Sequence, residues 1–77
     1  NTIENITDYN NSIGAGTYSH TVDIGNGNPT GILFVIHGKM YSSHVDIPVG
    51  TGKIAIKTIR STGELLRDWR TIDFTKD

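Results

Sequence analysis

Apolar and polar residues alternate along most of this chain with a period of two, the spacing that puts one set on each face of a β-strand. In the first such stretch Tyr18, His20, Val22 and Ile24 fall on one face, and Thr17, Ser19, Thr21 and Asp23 on the other. Ile32 to Ile36 then form an unbroken apolar run, as expected of a strand covered on both faces or lying centrally in its sheet. Tyr41, Val45, Ile47 and Val49 next alternate with Ser42, His44 and Asp46. Pro48 has no N–H to give to a ladder, so this strand lies at an edge or ends there. Ile54 and Ile56 oppose Ala55, Lys57 and Ile59 in the following stretch, and Leu66, Ile72 and Phe74 share a parity in the last. The intervening segments, GNGNPTG at 25–31, Gly38-Lys39, and STGE at 61–64, are dense in turn residues. The pattern predicts an all-β domain, a small antiparallel meander of about five strands. Residues 1–13 place Ile3 and Ile6 three apart among Asn, Asp and Ser, which suits either a short capped turn of helix or an irregular lead-in.

Composition sharpens this picture. The chain has 11 Ile and 4 Val against 3 Leu and 2 Ala, and β-branched side chains favour a pleated surface over a helix. With 77 residues it is a single domain near the low end of the size range, where a lone core is marginal. There is no cysteine to staple it. Stability then has to come from close sheet packing or from association with other copies. The net charge of −1 argues against nucleic acid or an anionic membrane surface as the main partner. No apolar run is long enough to insert into a bilayer. His20, His37 and His44 sit in separate segments, away from zinc-site spacing, so neither a metal nor another cofactor is expected.

The segment VGTGKIAIKTIR, residues 49–60, carries the Gly-Thr-Gly-Lys letters of a phosphate-binding loop. That loop needs a glycine five positions before the Gly-Lys pair and a hydroxyl residue directly after it. Ile47 and Ile54 occupy those places. The loop must also open a helix, yet the residues after Lys53 alternate and are β-branched. A turn between two strands is the plainer reading.

The order ITDYNNSIGAGTY, NGNPTGILFVIHGKMY, TGKIAIKTI and STGELLRDWRTI resembles the small β-rich modules near the C-termini of bacteriophage tail fibres, tailspikes and pyocin fibres, the pyocin-knob type. An Asp/Asn-rich lead-in runs into Gly16, Thr17 and Tyr18; Pro29 precedes the hydrophobic strand at Gly31 to Ile36; Trp69 and Ile72 match a terminal Trp-x-x-Trp-x-x-Ile motif. Leu66 stands where that motif has its first tryptophan, which keeps an apolar contact and removes an aromatic plate. The resemblance covers roughly residues 4–72. It implies that residues 1–77 form one knob module, the C-terminal part of a longer fibre or tailspike protein. It also implies a homotrimer in the virion tail that either binds a host cell-surface glycan or organises the trimer as a folding clamp.

Catalysis is not expected of the module itself. Glycoside hydrolysis needs two carboxylates set across the sugar bond, and the acids here lie mostly at strand ends or beside turns. Ser43, His44 and Asp46 contain the letters of a catalytic triad, but adjacent residues in a strand diverge. A sugar platform needs an aromatic face with polar groups around it. Trp69, flanked by Arg67 and Arg70, is the first candidate, and Tyr41 with His44 the second. The competing reading of Trp69 is that it packs against the small core. The polar loop at 25–31, which a pure packing device would not need, favours the receptor-binding role.

Overall fold

The computed structural model describes residues 1–72; Phe74, expected to share a parity with Leu66 and Ile72, lies outside them. The fold is all-β, a single sheet of six strands in the order of the chain: β1 (Thr2–Ile3), β2 (Gly16–His20), β3 (Gly31–His37), β4 (Tyr41–Pro48), β5 (Ile54–Arg60) and β6 (Leu65–Ile72). The strands β2 to β6 are the expected antiparallel meander. The expected count of five is one short, because the lead-in contributes β1, which pairs parallel to β2. Two residues flanked by Asn and Glu carry too little period for sequence to reveal such a strand. The rest of the lead-in makes one 3₁₀ turn at Ile6–Asp8. Among the described residues no helix is long and apolar enough to cross a membrane.

Pro48 ends β4, as its missing donor requires, although β4 is an interior strand. The Gly-Thr-Gly-Lys segment joins β4 to β5 as a turn, with Gly50 and Gly52 at positive φ. A Cβ on Gly52 would collide with the side chain of Asn28. That glycine makes room for a loop–loop clasp, and the segment leads into a strand where a phosphate loop would open a helix.

Register shows which residues share a face, because directly paired residues point to the same side. Leu33, Asp46 and Ala55 form one cross-strand row, and Val35, His44 and Lys57 the next. All of these are buried. Phe34, Val45 and Ile56 form a row on the opposite face, with Ile32, Ile47, Ile36, Ile54 and Ile72 around it. These are half-buried or exposed. The lead-in and the 21–30 loop account for the difference. Both lie across the first face, where Ile3 and Ile24 join Leu33 and Val35 in the core, backed by Tyr9, Ile13, Tyr18, Val22 and Trp69. No described segment crosses the second. The molecule's thinnest extent is 16 Å, consistent with one sheet and one covering layer.

Candidate functional site

The covered face is built around Asp46. Its side chain and that of His20 have no exposed surface, and His20 Nε2 lies 2.8 Å from Asp46 Oδ1. His20 Nδ1 donates to the Val22 carbonyl at 2.7 Å. Both ring nitrogens thus face oxygen acceptors, so one proton is held between Nε2 and Oδ1. The residues sit on β2 and β4, with β3 between them. They meet because Gly31 lies in the gap: a Cβ there would be 2.7 Å from His20 Nε2 and 2.8 Å from Asp46 Oδ1.

The other carboxylate oxygen of Asp46 accepts from Asn26 Nδ2 at 2.8 Å and from Asn28 Nδ2 at 3.0 Å. Asn28 also donates to the Lys53 carbonyl and accepts from the Lys53 N–H. Asp23 Oδ1 receives the backbone N–H groups of Gly25, Asn26 and Gly27, which hold its carboxyl below the usual range. The Asn26 and Asn28 side chains of the 25–31 loop are therefore committed inward. They satisfy a buried carboxylate, as buried polar groups require, so the polarity of this loop has a structural use and does not by itself favour a receptor role.

The second half of the face is an aromatic and basic cluster. Tyr9 Oη lies 2.6 Å from His44 Nδ1 and the two rings meet edge to face. Burial, followed by the charges of Asp46 and Asp68, raises the Tyr9 hydroxyl well above its ordinary value. Tyr9 is accordingly the donor, and His44 keeps its own proton on Nε2. That nitrogen is buried with no hydrogen-bond partner among the described residues. Burial, then Lys57 and His37, push His44 down to about 4, so the ring is neutral. Lys57 donates to Asn11 Oδ1 at 2.9 Å and its ammonium sits 4.7 Å from the Tyr9 ring centre and 4.9 Å from that of Trp69. Burial lowers the Lys57 ammonium, with Asp68 acting in the opposite direction.

The five residues singled out from sequence do not converge. Trp69 stacks on Tyr9 at 6.2 Å between centres and packs against the core. His44 lies beneath the same lead-in with no exposed surface. Arg67 pairs with Thr58 and Arg70 with Ile56, which places both on the open face, and Tyr41 shares that face through its pairing with Arg60. The split has a local cause. Two register shifts between β5 and β6 insert extra residues on the β6 side, so simple parity fails across 65–70. Sequence reading misses Tyr9, His20, Asn28, Asp46 and Lys57 as one network. Its signal is the polar parity of β4, where Ser42, His44 and Asp46 alternate with apolar neighbours.

Among the described residues no group of three or more His, Cys, Asp or Glu side chains is arranged to hold a metal ion. No family model matches this chain, and no curated protein and no solved structure matches it either.

Proposed function

We propose that this chain is a self-associating structural module, with the open sheet face packed against further copies of itself. One observation carries the reading: the most apolar face of the sheet is the uncovered one. Ile32, Ile36, Tyr41, Ile47 and Ile72 are between 37% and 57% exposed, around a central row of Phe34, Val45 and Ile56. From a strand spacing of ~4.8 Å and a rise of ~3.4 Å per residue, the plane presented by β3 to β6 is on the order of 400 Å², apolar over β3, β4 and the first half of β5 and edged by Arg60, Arg67 and Arg70 on the β5–β6 side. Contiguous apolar patches of a few hundred Å² on a monomer commonly mark an interaction site. Met40 and Val49, in the turns at either end of β4, are exposed as well.

The resemblance to fibre and tailspike knob modules supplies the number of copies, three, and a place in a virion tail. The trimer-organising role fits the geometry better than a receptor platform at Trp69, since that ring is engaged with Tyr9 and Lys57. Sedimentation equilibrium tests the reading. A trimer at micromolar concentration is expected for the natural chain, and a folded monomer for Phe34→Lys, which sets a charge at the centre of the open face. A natural chain that stays monomeric throughout that range would overturn it.

A further inference from the structure

A cavity of about 130 Å³ lies where the lead-in meets two turns, lined by Asn11, Ser12, His37, Ser42, Arg60 and Ser61, with Gly38 and Gly63 completing the wall. By the same kind of measure one water needs ~10–15 Å³. The space therefore takes a small ligand group. No carboxylate lines it.

The lining is rich in uncommitted donors. Asn11 uses its Oδ1 to accept from Lys57, so its amide N–H₂ is turned elsewhere. The hydroxyls of Ser12, Ser42 and Ser61 have no partner among the described residues, and Ser42 is itself buried. The Arg60 contact to Glu64 is a loose 3.5 Å, made through Nε, between two exposed side chains. That leaves both terminal guanidinium nitrogens, the pair that binds oxyanions in forked fashion. His37 Nε2 is 3.3 Å from the Ile13 carbonyl. A cationic fork at the rim and several hydroxyl donors within are complementary to one negative charge spread over two or more oxygens. We infer that this cavity binds a small oxyanion, carried as the carboxylate of an acidic sugar or free as an inorganic anion.

Asn11, Ser12 and Ser42 belong to the covered side, whereas Arg60 stands at the end of the open face through its pairing with Tyr41, so anion binding and self-association are read in the same samples. The test is a titration of the ¹⁵N-labelled chain with glucuronate, with glucose and with sulfate, read from backbone amide shifts. Saturable shifts at Ser12, Gly38, Ser42 and Ser61 are expected with glucuronate and not with glucose. Tighter saturation by glucuronate than by sulfate assigns the sugar carboxylate; equal saturation assigns a free anion. Arg60→Gln is expected to weaken either by about tenfold, the effect of one charge-assisted contact. Ser61→Ala provides a milder second variant that leaves the strand intact. Absence of shifts with both anions, equal shifts with glucose, or unchanged affinity in Arg60→Gln would each overturn the proposal. Sedimentation of the same samples reads the oligomeric state separately, so failure of the anion site is distinguishable from failure of the association.

Discussion

The two faces of this sheet distribute their polar residues differently. The covered face buries His20, Ser42, His44, Asp46 and Lys57 among Leu33, Val35, Ala55 and Ile59, while the open face presents Ile32, Phe34, Ile36, Val45, Ile47 and Ile56, with Arg60, Arg67 and Arg70 towards β6. Composition of a face does not by itself decide which side becomes the interior. What decides it is whether another segment can cover the face and satisfy it. The lead-in and the 21–30 loop bring Tyr9, Asn11, Asn26 and Asn28, which match the polar residues of one face by hydrogen bonds. Apolar surface needs no such matching, and a second copy of the same surface covers it equally well.

The contrast breaks most severely at Asp46. Asp46→Ala removes the acceptor for His20, Asn26 and Asn28 together, leaving buried donors unpaired. A loss of about 3–5 kcal/mol is expected, as for other severed buried pairs, with the midpoint of urea denaturation as the measure. A fall below about 1 kcal/mol would mean that water replaces the carboxylate freely. Gly31→Ala acts on the same pair without touching either partner. Its Cβ meets His20, Asp46 and the Ile47 carbonyl all within 3 Å, and a loss of about 3 kcal/mol is expected. On the open face, Phe34→Lys should leave monomer stability within about 1 kcal/mol while abolishing the proposed self-association.

Acid should act on the covered face alone. His44 titrates near 6.5 when unfolded and at about 4 when folded, through burial first and then Lys57 and His37. Because the unfolded chain binds the proton more readily, the stability present above pH 6.5 is lost as pH falls towards 4. The whole effect is at most about 3 kcal/mol. Tyr9, Lys57 and Asp46 also face this ring or its row, so the profile is read against His44→Leu, in which the component between pH 6.5 and 4 should vanish. An unchanged profile in that variant would place the acid sensitivity elsewhere.

Much of the fold is legible from the chain because strands leave a period of two: the meander and the end of β4 at Pro48 come directly from residue order, although β2 stops at His20 where the alternation runs on to Ile24. The bulges in β6 are not, since an inserted residue changes parity without changing composition. Nor is the network. Asn28 and Asp46 are 18 residues apart and resemble ordinary loop and strand residues until the loop folds over the sheet. Trp69 and the arginines beside it read as one cluster because they adjoin in sequence. In a strand that adjacency separates them.

The smallest expected effect tests the covered face most finely. His44 accepts from Tyr9 on Nδ1 and leaves Nε2 buried and unpaired. An unpaired buried donor costs roughly 1–3 kcal/mol, whereas replacing both members of a hydrogen-bonded pair by apolar groups of similar shape is close to neutral. Tyr9→Phe alone should therefore destabilise by about 1 kcal/mol or more, because it adds an unpaired Nδ1 to the unpaired Nε2. The double variant Tyr9→Phe with His44→Leu removes all three polar atoms while retaining two apolar side chains against Val35 and Trp69. Its stability should return to within about 0.5 kcal/mol of the natural chain, or exceed it, in a double-mutant cycle read by denaturation. A double variant less stable than either single one would show that the Tyr9 hydroxyl and the His44 imidazole hold the lead-in in place by more than their mutual bond. The covered face would then owe its order to polar specificity rather than to apolar contact.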